Sequence, residues 1–484
     1  MENGLLERVA SLDAMLGDGI ERAVCLKHRR RLARLGSSAL DPGQGLWAAG
    51  DPPPRPGCAL QVLVDGEHAF AEMAQAIRDA QESVHITGWH IAPHFELVRD
   101  EPEPALGPLL AEMAERVDVK VLVWAGSPIP VFHPTRAEVR NAIRLLTKGT
   151  RIRAAPDAHE RPLHCHHEKT LVVDGKLAFV GGIDMTDLAG DRYDTSDHPA
   201  RRRLGWHDVG TRLTGPAVKD VHDHFAMRWL EVTGESVEIQ GEPEASGSHT
   251  VQVVRTVAEG MYDRLPRGDF RILESYVRAI RSAERYIYLE NQFLWAPEIA
   301  SLLAEKLSDP PCDEFRLVIV LPSRANNGQD DTQGQLAVLE SADAGQGRLA
   351  AATLRSLTGS REDRLYVHAK VGIIDDRWLT VGSANLNSHS LFNDSEMNVV
   401  CQDVDMARQT RLRLWSEHLG ADPSSIAMSA PSTIIDTMWQ PIAREQLARL
   451  KAGDPPTHRL LALPGISRRS RRLMGPLVGL VDDG

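Results

Sequence analysis

Two segments of this chain repeat one pattern. HHEKTLVVDGKLAFVGGIDMTD and VHAKVGIIDDRWLTVGSANLNS each carry His-x-Lys and then, after four intervening residues, an Asp. In the first copy these are His167, Lys169 and Asp174, and in the second His368, Lys370 and Asp375. The match runs on. Asp184 and Asn385 each stand 17 residues beyond their histidine, after the small-residue turns Gly181-Gly182 and Gly382-Ser383. One His-x-Lys-x4-Asp is a weak signal. Two copies with the same flanks at the same offsets mean that one structural unit is built twice in a single chain.

The local grammar around each copy is that of a hairpin. TLVV and KLAFV are joined by Asp-Gly, and VGII and RWLTV by Asp-Asp. On an extended strand, residues two apart share a face. His167 and Lys169 are therefore expected to present together, as are His368 and Lys370. Asp174 and Asp375 fall at the turns, and read as structural or orienting groups, not as the acid or base.

Strand and helix alternate around the motifs. CALQVLVDGEHAFAEMAQAIRDAQESVHITGW reads as strand, helix, strand, and GDFRILESYVRAIRSAERYIYLENQF restarts the same layout after the polar stretch at 234–250. VKVLVWAG and FRLVIVLP are further buried strands. The expected class is α/β, with two tandem pseudo-symmetric α/β/α sandwich halves packed face to face and the active site at their interface. Expected boundaries are an N-terminal helical segment with a Pro/Gly-rich linker over 1–57, a first half over 58–240, a second over 250–425, and a C-terminal helix and basic tail over 426–484. Residues 324–362 read as a polar surface loop with a short helix, or as a lid over the site.

Length and composition narrow the class. At 484 residues the chain exceeds one ordinary hydrophobic core. Its net charge of −12 argues against a nucleic-acid binder. Five scattered cysteines without a CxxC pair suggest neither a disulfide framework nor a zinc ribbon. The N-terminus lacks a secretory pattern and no apolar run is long enough to span a bilayer. The expected location is cytoplasmic, reaching the inner face of a membrane as a peripheral protein.

The paired motifs resemble the phospholipase D superfamily, whose two halves each donate one such motif. The flanks RYDTSDHP, GWHDVGTRLTGPAVKDVHDHFAMRW, YIYLENQF and GSANLNSHSLFNDSE resemble the eukaryotic-type phospholipase D catalytic cores in the same order. The resemblance covers about 58–420 and does not extend to the lipid-binding modules of plant and animal relatives. It implies a phosphodiesterase that converts glycerophospholipid to phosphatidic acid and a free head-group alcohol, with transfer to an alcohol acceptor as a second outcome. By resemblance, His167 attacks phosphorus to form a phosphohistidine, and His368 protonates the leaving alcohol and then activates water. Lys169, Lys370, Asn385 and Asp184 are placed at the phosphate. Glu396 is expected behind His368 and Asp194 behind His167.

This chemistry fits the residue types without a metal or other cofactor. Imidazole titrates near neutral pH and serves as nucleophile or acid, while lysines neutralise phosphoryl oxygens. The expected partners are a phospholipid at a membrane surface and water or an alcohol, with no nucleic acid. Both halves lie in one chain, so a monomer suffices. The rival readings are a cardiolipin synthase-like phosphatidyltransferase and, further off, a nuclease of the same superfamily.

Several residues have blander readings. The run His164, Cys165, His166, His167 suggests a metal only superficially, because adjacent strand residues face opposite sides. Trp206, His207 and Asp208 read equally well as core and turn residues or as neighbours of the site. Glu290, Asn291 and Gln292 end a buried strand, where polar groups either line a site or cap the strand. The tail, with Arg468, Arg469, Arg471 and Arg472 among leucines, fits either an anionic membrane surface or docking on its own domain.

Overall fold

The computed structural model describes residues 19, 21–99, 104–129, 132–161, 163–199, 203–238, 241–324, 329–357 and 365–463. The basic tail lies outside the described residues.

Among the described residues eighteen strands follow in chain order: β1 (Arg55–Val64), β2 (Ser83–Gly88), β3 (Asp118–Trp124), β4 (Arg153–Asp157), β5 (Thr170–Val173), β6 (Leu177–Gly181), β7 (Gly205–His207), β8 (Val209–Thr214), β9 (His249–Val257), β10 (Asp269–Phe270), β11 (Tyr286–Glu290), β12 (Arg316–Val320), β13 (Leu349–Leu354), β14 (Leu365–Val367), β15 (Val371–Ile374), β16 (Trp378–Gly382), β17 (Glu396–Cys401) and β18 (Leu460–Ala462). The main sheet runs β18-β13-β12-β11-β15-β16-β17-β9-β1-β8-β6-β5-β2-β3-β4, with β10 beside β9. Apart from β18, which adds an antiparallel strand at one edge, the order is a palindrome of the duplication. Outward from β1 and β9, each half lays down an antiparallel group carrying its motif hairpin and then three parallel strands.

The α/β class and the twofold repeat are those expected from the sequence. The halves are also joined edge to edge, because β1 pairs antiparallel with both β8 and β9. The joined sheet still folds over itself. One core takes Val62, Val172 and Val180 from the first half and Val371, Val381 and Val399 from the second, all buried. The outer faces are covered by helices. Ala69, Phe70, Met73 and Ile77 of the helix Gly66–Asp79 pack on one side, and Ile272, Tyr276 and Ile280 of Arg271–Ser282 on the other. Burial on both faces explains why motif strands such as TLVV and VGII read as unbroken apolar runs.

Both motif hairpins close through turns whose two central residues have positive φ: Asp174 and Gly175 at 54° and 62°, Asp375 and Asp376 at 54° and 52°. This type I′ geometry matches the twist of the flanking strands.

Two sequence expectations need correction. Residues 36–57 are not a free linker. Ala39, Leu40 and Ala48 are buried against the second half, and the Gln252 side-chain amide bonds both the N–H and the carbonyl of Ala48. The helix over 21–35 docks there too, with Arg31 paired to Glu259 and His28 to Glu298. Within 324–362, the helix Gln329–Asp343 is a full element, and Leu349–Leu354 is a strand of the main sheet. The segments 325–328 and 358–364 lie outside the described residues.

Candidate active site

The two His-x-Lys segments lie just ahead of β5 and β15, not on the strands themselves. Each is pinned to the opposite half. The backbone N–H groups of His167 and Glu168 donate to Ser395 O, both at 2.9 Å. Those of His368 and Ala369 donate to His207 O, at 2.8 and 3.2 Å. β14 adds a short parallel pairing with β7. The residue following each acceptor is acidic: Glu396 after Ser395, Asp208 after His207.

These two carboxylates orient the histidines. His167 Nδ1 lies 2.9 Å from Glu396 Oε1, and His368 Nδ1 lies 2.6 Å from Asp208 Oδ2. Glu396 therefore serves His167 and not His368, and Asp194 does not take the place expected for it. The Asp194 carboxylate lies 3.2 Å from His198 Nδ1 instead. The reason is the crossover: the acid after each pinning carbonyl belongs to the half that did not supply the histidine. With Nδ1–H donating to a carboxylate, the lone pair is fixed on Nε2.

The small-residue turns serve the carboxylates. A Cβ on Gly182 would collide with Asp208 Oδ1, so only glycine admits that side chain. In the other half Ser383 Oγ donates to Glu396 Oε2.

The lysines are equally fixed. Lys169 Nζ donates to His167 O at 2.6 Å and lies 3.3 Å from Asp184 Oδ2. Lys370 Nζ donates to His368 O and, at 3.2 Å, to Gln292 Oε1, which also accepts from Asn385 Nδ2 at 3.4 Å. Asp184 thus positions a cation. As an anion it does not itself hold phosphate, which corrects its assignment to the phosphate-binding set. Asp174 and Asp375 stand apart. The first accepts from the backbone N–H of Gln81, Glu82 and Ser83, the second from Glu284, Arg285 and Tyr286. Each ties its hairpin turn to the start of the neighbouring strand and touches no reacting group, so neither is catalytic in the direct sense.

The site is buried and surrounded by cations. The carboxylate between the first motif's histidine and lysine, Glu168, adds no free negative charge, because Arg228 pairs with it. Burial and the cations Lys370, Arg192 and Lys169, together with His167, push the His368 imidazole well below its ordinary range. Burial pushes its partner Asp208 the other way, up to about 6. The lowered imidazole is neutral before substrate arrives. Trp206 packs on the His368 ring at 4.4 Å between centroids, and the Arg192 guanidinium lies 3.9 Å over Trp206. Asp208, Gln292, Arg192 and Trp206 are site residues that motif reading did not select. The signal for Asp208 and Trp206 was GWHD, where a core reading weighed equally; Gln292 was visible only as a polar residue ending a strand.

Comparison with known proteins identifies the family. Residues 76–205 match a family model described as phospholipase D, and residues 276–416 match one described as cardiolipin synthase, PLD-like domain. Phospholipase D A of Dictyostelium discoideum is 26% identical over 77% of this chain and 36% of its own length. Phospholipase D2 of Bos taurus is 27% identical over 73% of this chain and 50% of its own. The chain thus spans about a third to a half of these two relatives. Among solved structures, phosphatidylserine synthase of Haemophilus influenzae superposes with a TM-score of 0.50 at 13% identity, covering 79% of this chain and 88% of its own, which is a likeness of fold.

Proposed function

We propose, from the premise that the chain belongs to the phospholipase D superfamily, that it hydrolyses glycerophospholipids to phosphatidic acid and a free head-group alcohol. The observation that carries this reading is the crossed pair of carboxylate-held histidines, His167 with Glu396 and His368 with Asp208, set beside two lysines.

In the proposed reaction Nε2 of His167 attacks phosphorus. The bond from phosphorus to the head-group oxygen breaks, and His368 gives that oxygen a proton. His368 then takes a proton from water, whose oxygen attacks phosphorus and releases His167. An alcohol in place of water yields a transferred phosphatidyl group. Lys169, Lys370 and Asn385 hold the phosphoryl oxygens. Burial and nearby cations keep His368 unprotonated, and the incoming phosphodiester anion offsets the cations, so the imidazole gains proton affinity as substrate binds. The protein meets its lipid from the water side as a monomer. Among the described residues no helix is long and apolar enough to cross a membrane.

A cardiolipin synthase-like transfer is the second reading, favoured by the description of the model matching 276–416. Product analysis separates the two. Vesicles of phosphatidylcholine, phosphatidylethanolamine or phosphatidylglycerol are incubated with and without ethanol, beside a His167→Ala control. Phosphatidic acid and phosphatidylethanol, both absent with the variant, support hydrolysis. Cardiolipin formed from phosphatidylglycerol alone moves the reading to the synthase, and no lipid turnover overturns both.

A further inference from the structure

Behind His368, one residue layer deeper, lies a second cluster that the proposed reaction does not use. Asp65 follows β1, His198 follows RYDT, His207 ends β7, and Glu417 comes from the helix Val404–Leu419. Asp65, His198 and His207 are completely buried and the Glu417 side chain is 8% exposed. One ligand-type atom from each of the four lies within 4.8 Å of all the others.

Each imidazole is held between carboxylates at both ring nitrogens. His198 Nε2 is 3.0 Å from Glu417 Oε1, while its Nδ1 is 3.2 Å from Asp194. His207 Nδ1 is 2.9 Å from Asp65 Oδ1, while its Nε2 is 2.9 Å from Glu290 Oε2. A neutral imidazole has one donor and cannot satisfy two carboxylates. Either each ring carries a second proton, or a cation replaces the protons at the shared centre.

Three observations favour the cation. The outward nitrogens, facing Asp194 and Glu290, reproduce the carboxylate–histidine arrangement that fixes metal-ligating imidazoles. Glu290 is braced in turn by His418 Nε2 at 2.8 Å. The inward atoms converge on one centre at spacings on either side of a tetrahedral edge: His198 Nε2 is 3.0 Å from Glu417 and 3.6 Å from Asp65 Oδ2, and His207 Nδ1 is 2.9 Å from Asp65 Oδ1 and 3.5 Å from Glu417. A tetrahedral zinc-type ion with N and O ligands needs edges of about 3.3–3.5 Å. Finally, Asp65 Oδ2 is buried without a hydrogen-bond partner and points at this centre. Elsewhere in the fold a guanidinium meets buried carboxylates directly, as Arg228 does for Asp157 and Glu168. Here Arg459 stays 3.9 Å from Glu417.

We infer that His198, His207, Asp65 and Glu417 bind one divalent ion of the zinc class. Two neutral imidazoles and two carboxylates balance its charge, and binding releases the two displaced protons to water. The ion takes no part in the reaction. It fixes the backbone of His207 and Asp208, which Asp65 already grips: its N–H donates to Asp208 O at 2.8 Å. The inference is independent of the reaction proposed above.

The test begins with the untagged full chain purified without chelator. Elemental analysis is expected to give about one equivalent of zinc. Stripping by dialysis against a chelator is expected to lower Tm by on the order of 5 °C, restored by zinc alone. His167→Ala is expected to keep its metal, which places the ion away from the catalytic histidines, and Glu417→Gln to lose it. Should Glu417→Gln fail to fold, cobalt substitution of the wild-type chain gives a second readout through the visible absorption of a tetrahedral site. Metal-free protein whose Tm responds to neither chelator nor zinc overturns the inference and leaves two imidazolium rings in the cluster.

Discussion

His167 Nδ1 lies 2.9 Å from Glu396 Oε1, a carboxylate 229 residues away in the opposite half. The reciprocal contact joins His368 to Asp208 at 2.6 Å. Each half therefore supplies one imidazole and the acid that orients the other half's imidazole. Glu396→Gln is expected to reduce turnover by about 10²–10⁴-fold by favouring the wrong tautomer, with the fold retained. Nitrogen-labelled histidine spectra check the crossing. Glu396→Gln should shift the His167 signals and Asp208→Asn those of His368; the opposite pattern would refute the pairing.

Gly182 packs directly against Asp208, the acid that orients His368. An added Cβ would collide with Asp208 Oδ1, so Gly182→Ala must displace that carboxylate. We expect a loss of about 10²-fold in kcat, because displacement by about 1 Å near the chemistry costs that much. KM should move far less. Steady-state kinetics on vesicles decides, and an unchanged kcat would mean that Asp208 can retreat without consequence.

Asp174 and Asp375 are expected to act on stability. Each accepts three backbone N–H groups at the start of the neighbouring strand. Asp375→Ala leaves such donors unsatisfied at a cost of about 2–4 kcal/mol. Urea denaturation measures the loss. The folded variant should keep its kcat, and a collapse of kcat at full folding would assign the residue a direct role.

His85 links stability to pH. It stacks on Phe225 at 4.7 Å, and burial holds its pKa at about 3. The nearby Asp118, 3.5 Å from Nε2, is already held by Lys120 and Arg153. The folded state thus takes up a proton later than the unfolded chain. Its contribution is intact above about pH 6.5 and is lost as pH falls toward 3, at up to about 1.4 kcal/mol per unit. His222, lowered to about 4, acts in the same direction. His85→Phe should flatten this slope between about pH 6 and 4.5, measured by urea denaturation at each pH. An unaltered slope would show that His85 does not carry it.

The duplicated His-x-Lys segments, the hairpin turns and the alternation of helix and strand were legible from local order. Each depends on neighbours a few residues apart: the two-residue spacing sets Lys169 beside His167, whose carbonyl it meets, and an Asp-Gly pair closes a turn. Family resemblance supplied Glu396 as an orienting acid, yet its partner could not be read. Local sequence contains no information on which half a side chain faces once β1 and β9 join the sheets. The same holds for Asp208, which is ordinary in sequence and decisive only because His207 O pins His368 beside it. Resemblance placed Asp184 at the phosphate, but its contact with Lys169 assigns it to positioning. Sequence by itself determined the chemistry available and its twofold repetition. Tertiary structure alone decided which acid serves which histidine, because those contacts are made across some 160 to 229 residues by packing between halves.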